Sequence, residues 1–294
     1  MFGSRASSTA RRLLFFRESM RKNQPNALRI VSLAPSATSI LCALGAKKTL
    51  VGVTKWCADV APVAGLPKLG DCWHLESVDE VLRLKPGLVV GSVPYKQETV
   101  AKLLEHPLNF LAMNPRSLAD VYSDIRLLGG IVGRAKAAET LVRRMQRELA
   151  AIQRKSKNGA TRLRVYCEAW PNPRISSPPW VAELVSLCGG EMSVPAGQRV
   201  DEKQVAAAKP DMVVLAWTAA GDRANPRQAY DVPEWRELPA IRNRRVYVMR
   251  DELLNTPGPS LVEGAKELQR LFHSKGNEKD NRGTPRAQRP AGAI

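Results

Sequence analysis

The sequence predicts an α/β fold in which two Rossmann-like βαβ lobes are joined by a single long helix, with a cleft between the lobes. Strand-like apolar runs alternate with helical segments, which is typical of parallel βαβ units. A helical pattern without Gly or Pro runs from Arg134 to Lys155 and separates two such series. A motif at Val78–Val90 returns beyond that helix at Val200–Val214: Val-Asp-Glu, a helix, Lys-Pro and an apolar strand. The repeat indicates two similar lobes, and a chance likeness of two α–β turns is the alternative.

Domain boundaries follow from these elements. We predict a disordered basic leader at 1–28, a first lobe at 29–133, the linking helix at 134–157, a second lobe at 158–273 and a disordered tail at 274–294. Both terminal segments are polar and basic, so they lack the apolar residues that a core needs. In the whole chain 44% of residues are hydrophobic, which is close to the globular norm.

The first lobe shows three strand patterns and three helical ones. The strands are predicted at 28–33, 50–54 and 88–91, and the helices at 37–44, 78–84 and 117–128. Ser36 is the predicted N-cap of the first helix, and Gly45 is its stop signal. The pair Gly129-Gly130 is expected to interrupt the third helix.

The linking helix is predicted to be amphipathic. Its apolar residues recur at spacings of three and four, the helical period: Ala138, Leu141, Val142, Met145, Leu149 and Ile152. At 1.5 Å per residue it would span roughly 33 Å, and a turn is expected at Asn158-Gly159. In the second lobe, strands are predicted at 163–167, 212–215 and 245–248, and helices at 180–187 and 259–272.

The formal net charge of +17 first suggests an anionic partner. However, residues 1–28 contribute +5 of it and residues 274–294 contribute +3, and the rest is spread over the middle of the chain. Because no zinc finger, helix-turn-helix or RNA-binding motif accompanies the charge, we predict no nucleic-acid partner. No run of 18 apolar residues predicts a transmembrane segment.

Cysteine usage and the N-terminus bear on location. The five cysteines form no CxxC pair and are odd in number, so reduced thiols are expected rather than a disulfide framework. The only apolar run near the start is Leu13–Phe16, which is too short for the apolar core of a secretory signal. On the sequence alone, the protein is therefore predicted to be cytoplasmic.

No motif for covalent chemistry is present. The sequence contains neither a GxSxG elbow, nor a GxGxxG loop, nor a GxxxxGK[ST] phosphate loop. The pair Cys72 and His74 could bind zinc, but a zinc site needs three or four ligands. We predict no catalytic residue, no metal and no catalytic cofactor, and so a protein that is not an enzyme.

Tryptophans in loops are the candidates for ligand contact. Trp56, Trp170 and Trp217 each follow a predicted strand, and Trp73 lies in a loop rich in Gly, Asp and Cys. In parallel α/β sheets, ligands bind beyond the carboxyl ends of the strands, where these rings would face one. Simple burial of a large side chain is an equal alternative for each ring. Packing within a helix or loop fits the other two better, Trp180 and Trp235.

Several motifs occur in a recognisable order: Arg29–Thr38, Val51–Cys57, Leu84–Val89, Leu187–Glu191, Ala208–Asp211 and Asn255–Pro259. Together they resemble the Fe/B12-type substrate-binding proteins of ABC importers, most closely the cobalamin-binding members. The likeness covers about residues 29–273. It implies a rigid helical hinge and a non-catalytic protein that holds a corrinoid (cobalamin, vitamin B12) in the cleft.

The resemblance also implies which residues contact the ligand and the importer. With the loop tryptophans, the predicted ligand-binding residues are Pro35, Ser36, Trp56, Trp73, Trp170, Trp217 and Asn255. In this family one exposed glutamate on each lobe docks to arginines of the permease. Glu76 matches the first glutamate, whereas the second position falls on Lys203, one residue after Glu202. Glu76 and Glu202 are therefore the docking candidates.

Two other functions remain open from the sequence. Iron–siderophore and haem binders share the fold, and Arg174, Arg223 and Arg227 lie in candidate cleft loops where they could bind siderophore oxygens. A cytoplasmic corrinoid-handling accessory protein would fit the missing export signal, whereas the resemblance implies the periplasm. We expect a small-molecule ligand, an ABC permease as partner, and a monomer.

Overall fold

The computed structural model describes residues 28–156, 162–218 and 224–274. Apart from Leu28 and Ser274, the predicted leader and tail lie outside the described residues, as does the predicted turn at Asn158-Gly159. Among the described elements are two five-stranded sheets and one long helix between them in sequence.

The first sheet is entirely parallel. Its strands are β1 (Ile30–Ser32), β2 (Leu50–Thr54), β3 (Lys68–Leu69), β4 (Leu88–Ser92) and β5 (Phe110–Met113), in the spatial order β3-β2-β1-β4-β5. Four helices accompany it: α1 (Pro35–Ala43), α2 (Val78–Arg83), α3 (Gln97–Leu104) and α4 (Leu118–Ile131). We call these elements the first lobe. The strand order changes direction between β1 and β4, and sheets of this kind bind ligands at such a switch point.

The second sheet is mixed. Its strands are β6 (Leu163–Pro171), β7 (Arg174–Ser176), β8 (Gly190–Met192), β9 (Met212–Leu215) and β10 (Val246–Val248). The order is β10-β9-β6-β7, β8 also pairs with β6, and β7 alone runs antiparallel to its neighbour. With these strands, the second lobe contains α6 (Pro179–Leu187), α7 (Glu202–Ala208), α8 (Arg227–Tyr230), α9 (Pro239–Arg242) and α10 (Leu261–Phe272).

The linking helix α5 spans Ala135–Ser156, one residue from the predicted range at each end. It buries all six apolar residues that the helical period selects. Its last turn is fixed to the second lobe by Gln269, which donates to the Ile152 carbonyl at 3.1 Å and to the Ser156 hydroxyl at 3.0 Å. The prediction of a single long linking helix is confirmed.

One hydrophobic cluster runs through both lobes. It contains Ile30 and Val90 from the first sheet, Met145 from α5, and Val165 and Val214 from the second sheet. Because successive strand residues point to opposite faces, the neighbours of these residues fill two smaller clusters on the far faces of the sheets. Those clusters include Val31 and Val89 in the first lobe, and Tyr166, Val213 and Trp235 in the second.

Two helix boundaries differ from the predictions. Helix α4 continues through Gly129-Gly130 to Ile131 instead of ending before them. A Cβ at Gly129 would lie only 2.4 Å from the Ala138 Cβ beside it. The glycine permits close packing of the two helices instead of ending one. Helix α1 begins at Pro35 with Ala34 as its N-cap, so Ser36 is not the cap. Proline suits the first helical position because its φ is already helical and because the N–H that it lacks would have no intrahelical partner there.

The segment with Trp170 and Arg174, which the sequence predicts as a loop, is a β-hairpin in the structure. Strand β6 extends to Pro171, and β7 returns antiparallel to it with Trp170 opposite Ile175. The backbone of this segment is thus paired within the sheet, which a loop would not be. Trp170 is consequently carried by a strand.

The two copies of the repeated motif have equivalent structures from the helix N-cap onward. Ser77 caps α2 and Asp201 caps α7, each by accepting a hydrogen bond from a backbone N–H of the first turn. Near each helix end lies a lysine with positive φ, Lys85 at 45° and Lys209 at 44°, followed by proline and a parallel strand. Counted from those lysines, the two Val-Asp-Glu triplets are two residues out of register. Only the helix, Lys-Pro and the strand are equivalent.

Candidate functional site

The N-terminus of α1 brings Pro35 and Ser36 against the second lobe. Both residues follow the carboxyl end of β1; Pro35 is half-buried and Ser36 is buried. Gly258 of the second lobe approaches so closely that a Cβ there would lie 2.9 Å from the Ser39 hydroxyl oxygen. The two lobes therefore touch at α1. Gly258, which makes this contact, lies three residues after Asn255 in the chain.

Trp56 lies in a short 3-10 helix, Lys55–Asp59, directly after β2. It is half-buried, and the Lys55 ammonium stands 4.6 Å from the centre of its ring. The carbonyl of Asp59 accepts a hydrogen bond of 3.2 Å from Arg250 of the second lobe. Arg250 is itself held by Glu252 at 3.0 Å. The segment that carries Trp56 is thus tied across the two lobes.

Two predicted tryptophans expose much of their rings. Trp73 is 56% exposed and follows β3, in a loop where its backbone N–H donates to the Asp71 carboxylate at 2.9 Å. Trp170 is 40% exposed, and its indole N–H donates to the Asn172 carbonyl at 2.9 Å. Tryptophan side chains are usually largely buried, so these two exposed side chains are available to a ligand.

The segments that carry Trp217 and Asn255 meet just after the carboxyl end of β9. Trp217 is only 8% exposed, and its indole N–H donates to Glu168 at 2.9 Å. The Asn255 amide donates to the carbonyl of Ala216, the residue before Trp217. The buried Asn255 Oδ1 has no hydrogen-bond partner among the described residues. Trp217 therefore has a packing role whether or not it also contacts a ligand.

Trp217 belongs to a buried network of charged and aromatic side chains. The fully buried Glu168 carboxylate accepts hydrogen bonds from the Tyr166 hydroxyl at 2.7 Å, from Trp217 and from Arg174 at 2.7 Å. The Arg174 Nε donates to Glu202 at 2.8 Å. We call these five residues, together with Trp235 below them, the Glu168–Arg174 network. Sequence reasoning missed it, although a single carboxylate in the apolar strand β6 signals a need for buried partners.

Aromatic contacts and charge complete this network. The Arg174 guanidinium lies 4.5 Å from the centre of the Trp235 ring, whose indole N–H donates to the Glu202 carbonyl at 3.1 Å. Burial opposes the charge of Arg174, but the Glu168 and Glu202 carboxylates together outweigh burial and raise the Arg174 pKa. The hydrogen bond from Arg174 lowers the pKa of Glu202. Arginine is thus held between two carboxylates.

A pocket of about 190 Å3 opens beside the network. We call it the second-lobe pocket. It lies at the carboxyl ends of β6 and β9, where Pro171 and Trp217 are located. Its lining residues are Glu168, Pro171, Arg174, Leu215, Trp217, Gln228, Ala229 and Trp235.

The remaining candidate residues are the arginines, the docking glutamates and the two tryptophans with predicted packing roles. Of the arginines considered for a siderophore, Arg174 is paired with two carboxylates, Arg227 is exposed on α8 and Arg223 lies outside the described residues. Of the docking candidates, Glu76 is exposed just before the α2 cap, and the Glu202 side chain is 44% exposed. The packing roles predicted for two tryptophans are confirmed, since both are buried: Trp180 and Trp235.

The described residues contain no group of three or more His, Cys, Asp or Glu side chains that could hold a metal ion. Within the same parts of the chain, no helix is both long enough and apolar enough to cross a membrane.

The chain is similar in sequence to known binding proteins. The family model described as "Periplasmic binding protein" matches residues 30–253. An uncharacterized ABC transporter substrate-binding lipoprotein, YvrC of Bacillus subtilis, is 30% identical over 260 residues, which cover 84% of this chain and 80% of that protein. A vitamin B12-binding protein of Vibrio parahaemolyticus is 26% identical over 273 residues, covering 89% of this chain and 94% of the relative.

Solved structures share the fold. A periplasmic heme-binding protein from Roseiflexus sp. RS-1 superposes with a TM-score of 0.72 at 23% identity, covering 85% of this chain and 99% of that one. The periplasmic vitamin B12-binding protein of Vibrio cholerae gives a TM-score of 0.68 at 21% identity, with 84% and 96% covered. The predicted two-lobed α/β fold is thereby confirmed.

Proposed function

The chain belongs to the periplasmic binding protein family, and on this premise we propose that it holds a corrinoid between its lobes for an ABC importer. The family consists of binding proteins rather than enzymes, which confirms the prediction of a non-catalytic chain. The corrinoid is the ligand in this proposal and takes no part in catalysis.

The observation that carries the proposal is the pair of exposed indole rings, Trp73 and Trp170, at strand ends of the two sheets. A corrinoid is a flat macrocycle with a fringe of amides, so aromatic faces can pack its apolar surface while polar groups meet the amides. The similarity to vitamin B12-binding proteins over most of the chain supports the same ligand class. Pro35, Ser36 and Asn255 would contact the ligand from the segments at which the lobes touch.

A haem or iron–siderophore ligand is the second candidate, because some structural neighbours are named heme-binding proteins. Such ligands present carboxylates or other anionic oxygens, which call for unpaired cations. Arg174, the described arginine in the second-lobe pocket, already pairs with Glu168 and Glu202. This pairing favours the corrinoid.

We further propose that Glu76 and Glu202 dock to the permease. We also propose that the protein acts outside the cytoplasm, because the structurally similar vitamin B12-binding protein is named as periplasmic. Fractionation of cells that express the tagged full chain tests the location. Recovery only in the cytoplasm would replace this proposal with a corrinoid-handling accessory role.

Titration of the purified full-length chain with cyanocobalamin, followed by tryptophan quenching, tests the ligand. We expect saturable binding at or below micromolar ligand, and at least tenfold weaker binding by Trp170→Ala, since buried aromatic contacts dominate binding energy. Leu104→Ala, which removes another exposed apolar side chain, is the matched control and should bind normally. Saturable binding of haem with no response to cyanocobalamin would reverse the order of the two candidates.

A further inference from the structure

The second-lobe pocket fits one arm of a ligand and not a whole macrocycle. Its volume is about 190 Å3, whereas sites that enclose a drug-sized molecule measure roughly 300–1,000 Å3. It lies at the carboxyl end of β6, the strand that also carries the exposed Trp170. A ligand packed on Trp170 would therefore have this pocket within reach of its periphery.

The Glu168–Arg174 network beside the pocket carries a net negative formal charge, to which Glu202 contributes from behind Arg174 without lining the pocket itself. The Arg174 side chain is 14% exposed, and its guanidinium bonds to two carboxylates, Glu168 and Glu202. One positive and two negative charges sum to a formal −1. This local sign is opposite to the charge of the whole chain, which is +17. The net positive charge of the chain should thus attract an anionic ligand from a distance, whereas the negative charge beside the pocket should repel an anionic group that enters it.

The hydrogen-bonding capacity of the pocket suits a neutral acceptor. Arg174 uses Nε and Nη1 for its two carboxylate partners, and its Nη2 has no hydrogen-bond partner among the described residues. A guanidinium donates five N–H bonds in a planar fork, so donors remain for a carbonyl oxygen. The indole rings of Trp217 and Trp235 supply apolar walls for a methylene stem.

We propose that the second-lobe pocket admits one amide-bearing arm of the ligand and discriminates against a carboxylate in the same place. The inference rests on the proposed function, because a corrinoid presents short arms that end in amides. The amide carbonyl would accept a hydrogen bond from Arg174. A carboxylate would meet the same donor but would also be repelled by Glu168 and Glu202.

The test compares cyanocobalamin with its separated monocarboxylic derivatives, in each of which one peripheral propionamide has been hydrolysed to a carboxylate. Affinities are measured by tryptophan quenching on the full-length chain. We expect at least one derivative to bind about tenfold more weakly than cyanocobalamin, as a unit charge within several ångströms of a partly buried carboxylate would produce. Glu202→Gln removes one of the two repelling charges and should reduce that ratio by about fivefold.

Glu237→Gln is the matched control. Glu237 is a 78% exposed glutamate of the same lobe and pairs only with Arg242 among the described residues. The Glu237→Gln variant should leave the ratio of the affinities for cyanocobalamin and its acid derivative unchanged. Circular dichroism checks that both variants are folded. Equal or tighter binding of every acid by the wild-type chain would overturn the inference and leave the corrinoid proposal intact. An unchanged ratio in Glu202→Gln, or an equal fall in Glu237→Gln, would overturn it as well. No response to cyanocobalamin at all would overturn both.

Discussion

Arg174→Met should destabilise the folded protein by about 3 kcal/mol. The substitution leaves the fully buried Glu168 carboxylate without its only positive partner among the described residues. Loss of one member of a buried ion pair costs about 3–5 kcal/mol, mainly because the other charge stays buried. Tyr166 and Trp217 still donate to Glu168, which places the expected loss at the lower end of that range.

The second carboxylate allows an internal comparison. The Glu202 side chain is 44% exposed, so its pair with Arg174 is screened by solvent. Exposed pairs contribute about 0–1 kcal/mol, and Glu202→Gln should therefore cost no more than about 1 kcal/mol. The stability of the network is expected to depend on Glu168 and to be almost indifferent to Glu202.

Urea unfolding, followed by circular dichroism at pH 7, measures these differences. The double variant Glu168→Gln with Arg174→Met should recover part of the loss, since the amide is neutral, its oxygen can still accept from Trp217, and its NH2 group can donate to the Tyr166 hydroxyl oxygen. Arg143→Met removes a 67% exposed arginine and serves as the control. A loss below about 1 kcal/mol in Arg174→Met, with no recovery in the double variant, would refute the view that Glu168 is a buried charge.

Three further results are expected. Gly129→Ala should lower the free energy of unfolding by about 1 kcal/mol, because the clash with Ala138 exceeds the gain in helix propensity; Ala138→Gly in the same chain should restore it in urea unfolding. Burial, with Asp120 nearby, raises the pKa of Asp124 to about 6. Because this folded-state pKa exceeds the unfolded one, the folded state binds the extra proton, and stability falls as pH rises from about 4 to 6. Asp124→Asn should thus stabilise the protein by about 1 kcal/mol at pH 7, after allowance for its partial exposure, and by nothing at pH 3.5 in parallel urea curves. Asp201→Ala removes the carboxylate that accepts from the Gln204 backbone N–H in the α7 capping box and leaves the reciprocal bond from the backbone N–H of residue 201, so it should cost about 1 kcal/mol by thermal unfolding.

Elements with strong periodicity were predictable from the sequence. Strand β9 matches its predicted range at 212–215, and α5 differs by one residue at each end. Glycine misled the prediction at 129, because a residue that often ends helices can also let two helices approach closely. Pairing after β6 was missed because an antiparallel return within a parallel series depends on tertiary contacts. No local pattern at 172–173 distinguishes a hairpin tip from a loop.

The candidate site was predictable only in part. Positions after strands follow from the order of elements, and this places Trp56 and Pro35 at the carboxyl ends of their strands. The network could not be assembled from the sequence, because Glu168 and Glu202 belong to a strand and a helix separated by two other strands and another helix. The docking roles of Glu76 and Glu202 remain predictions.

The hydrophobic cluster that crosses α5 has a consequence for dissection of the protein. Met145 and the other buried residues of α5 belong to a core to which both sheets contribute one face. A fragment that ends before α5, or one that begins after it, would leave that face open to water. Independent domains normally possess cores of their own. We therefore expect the chain to melt in a single cooperative transition, and each half expressed alone to aggregate, so that ligand capture and folding depend on one indivisible unit.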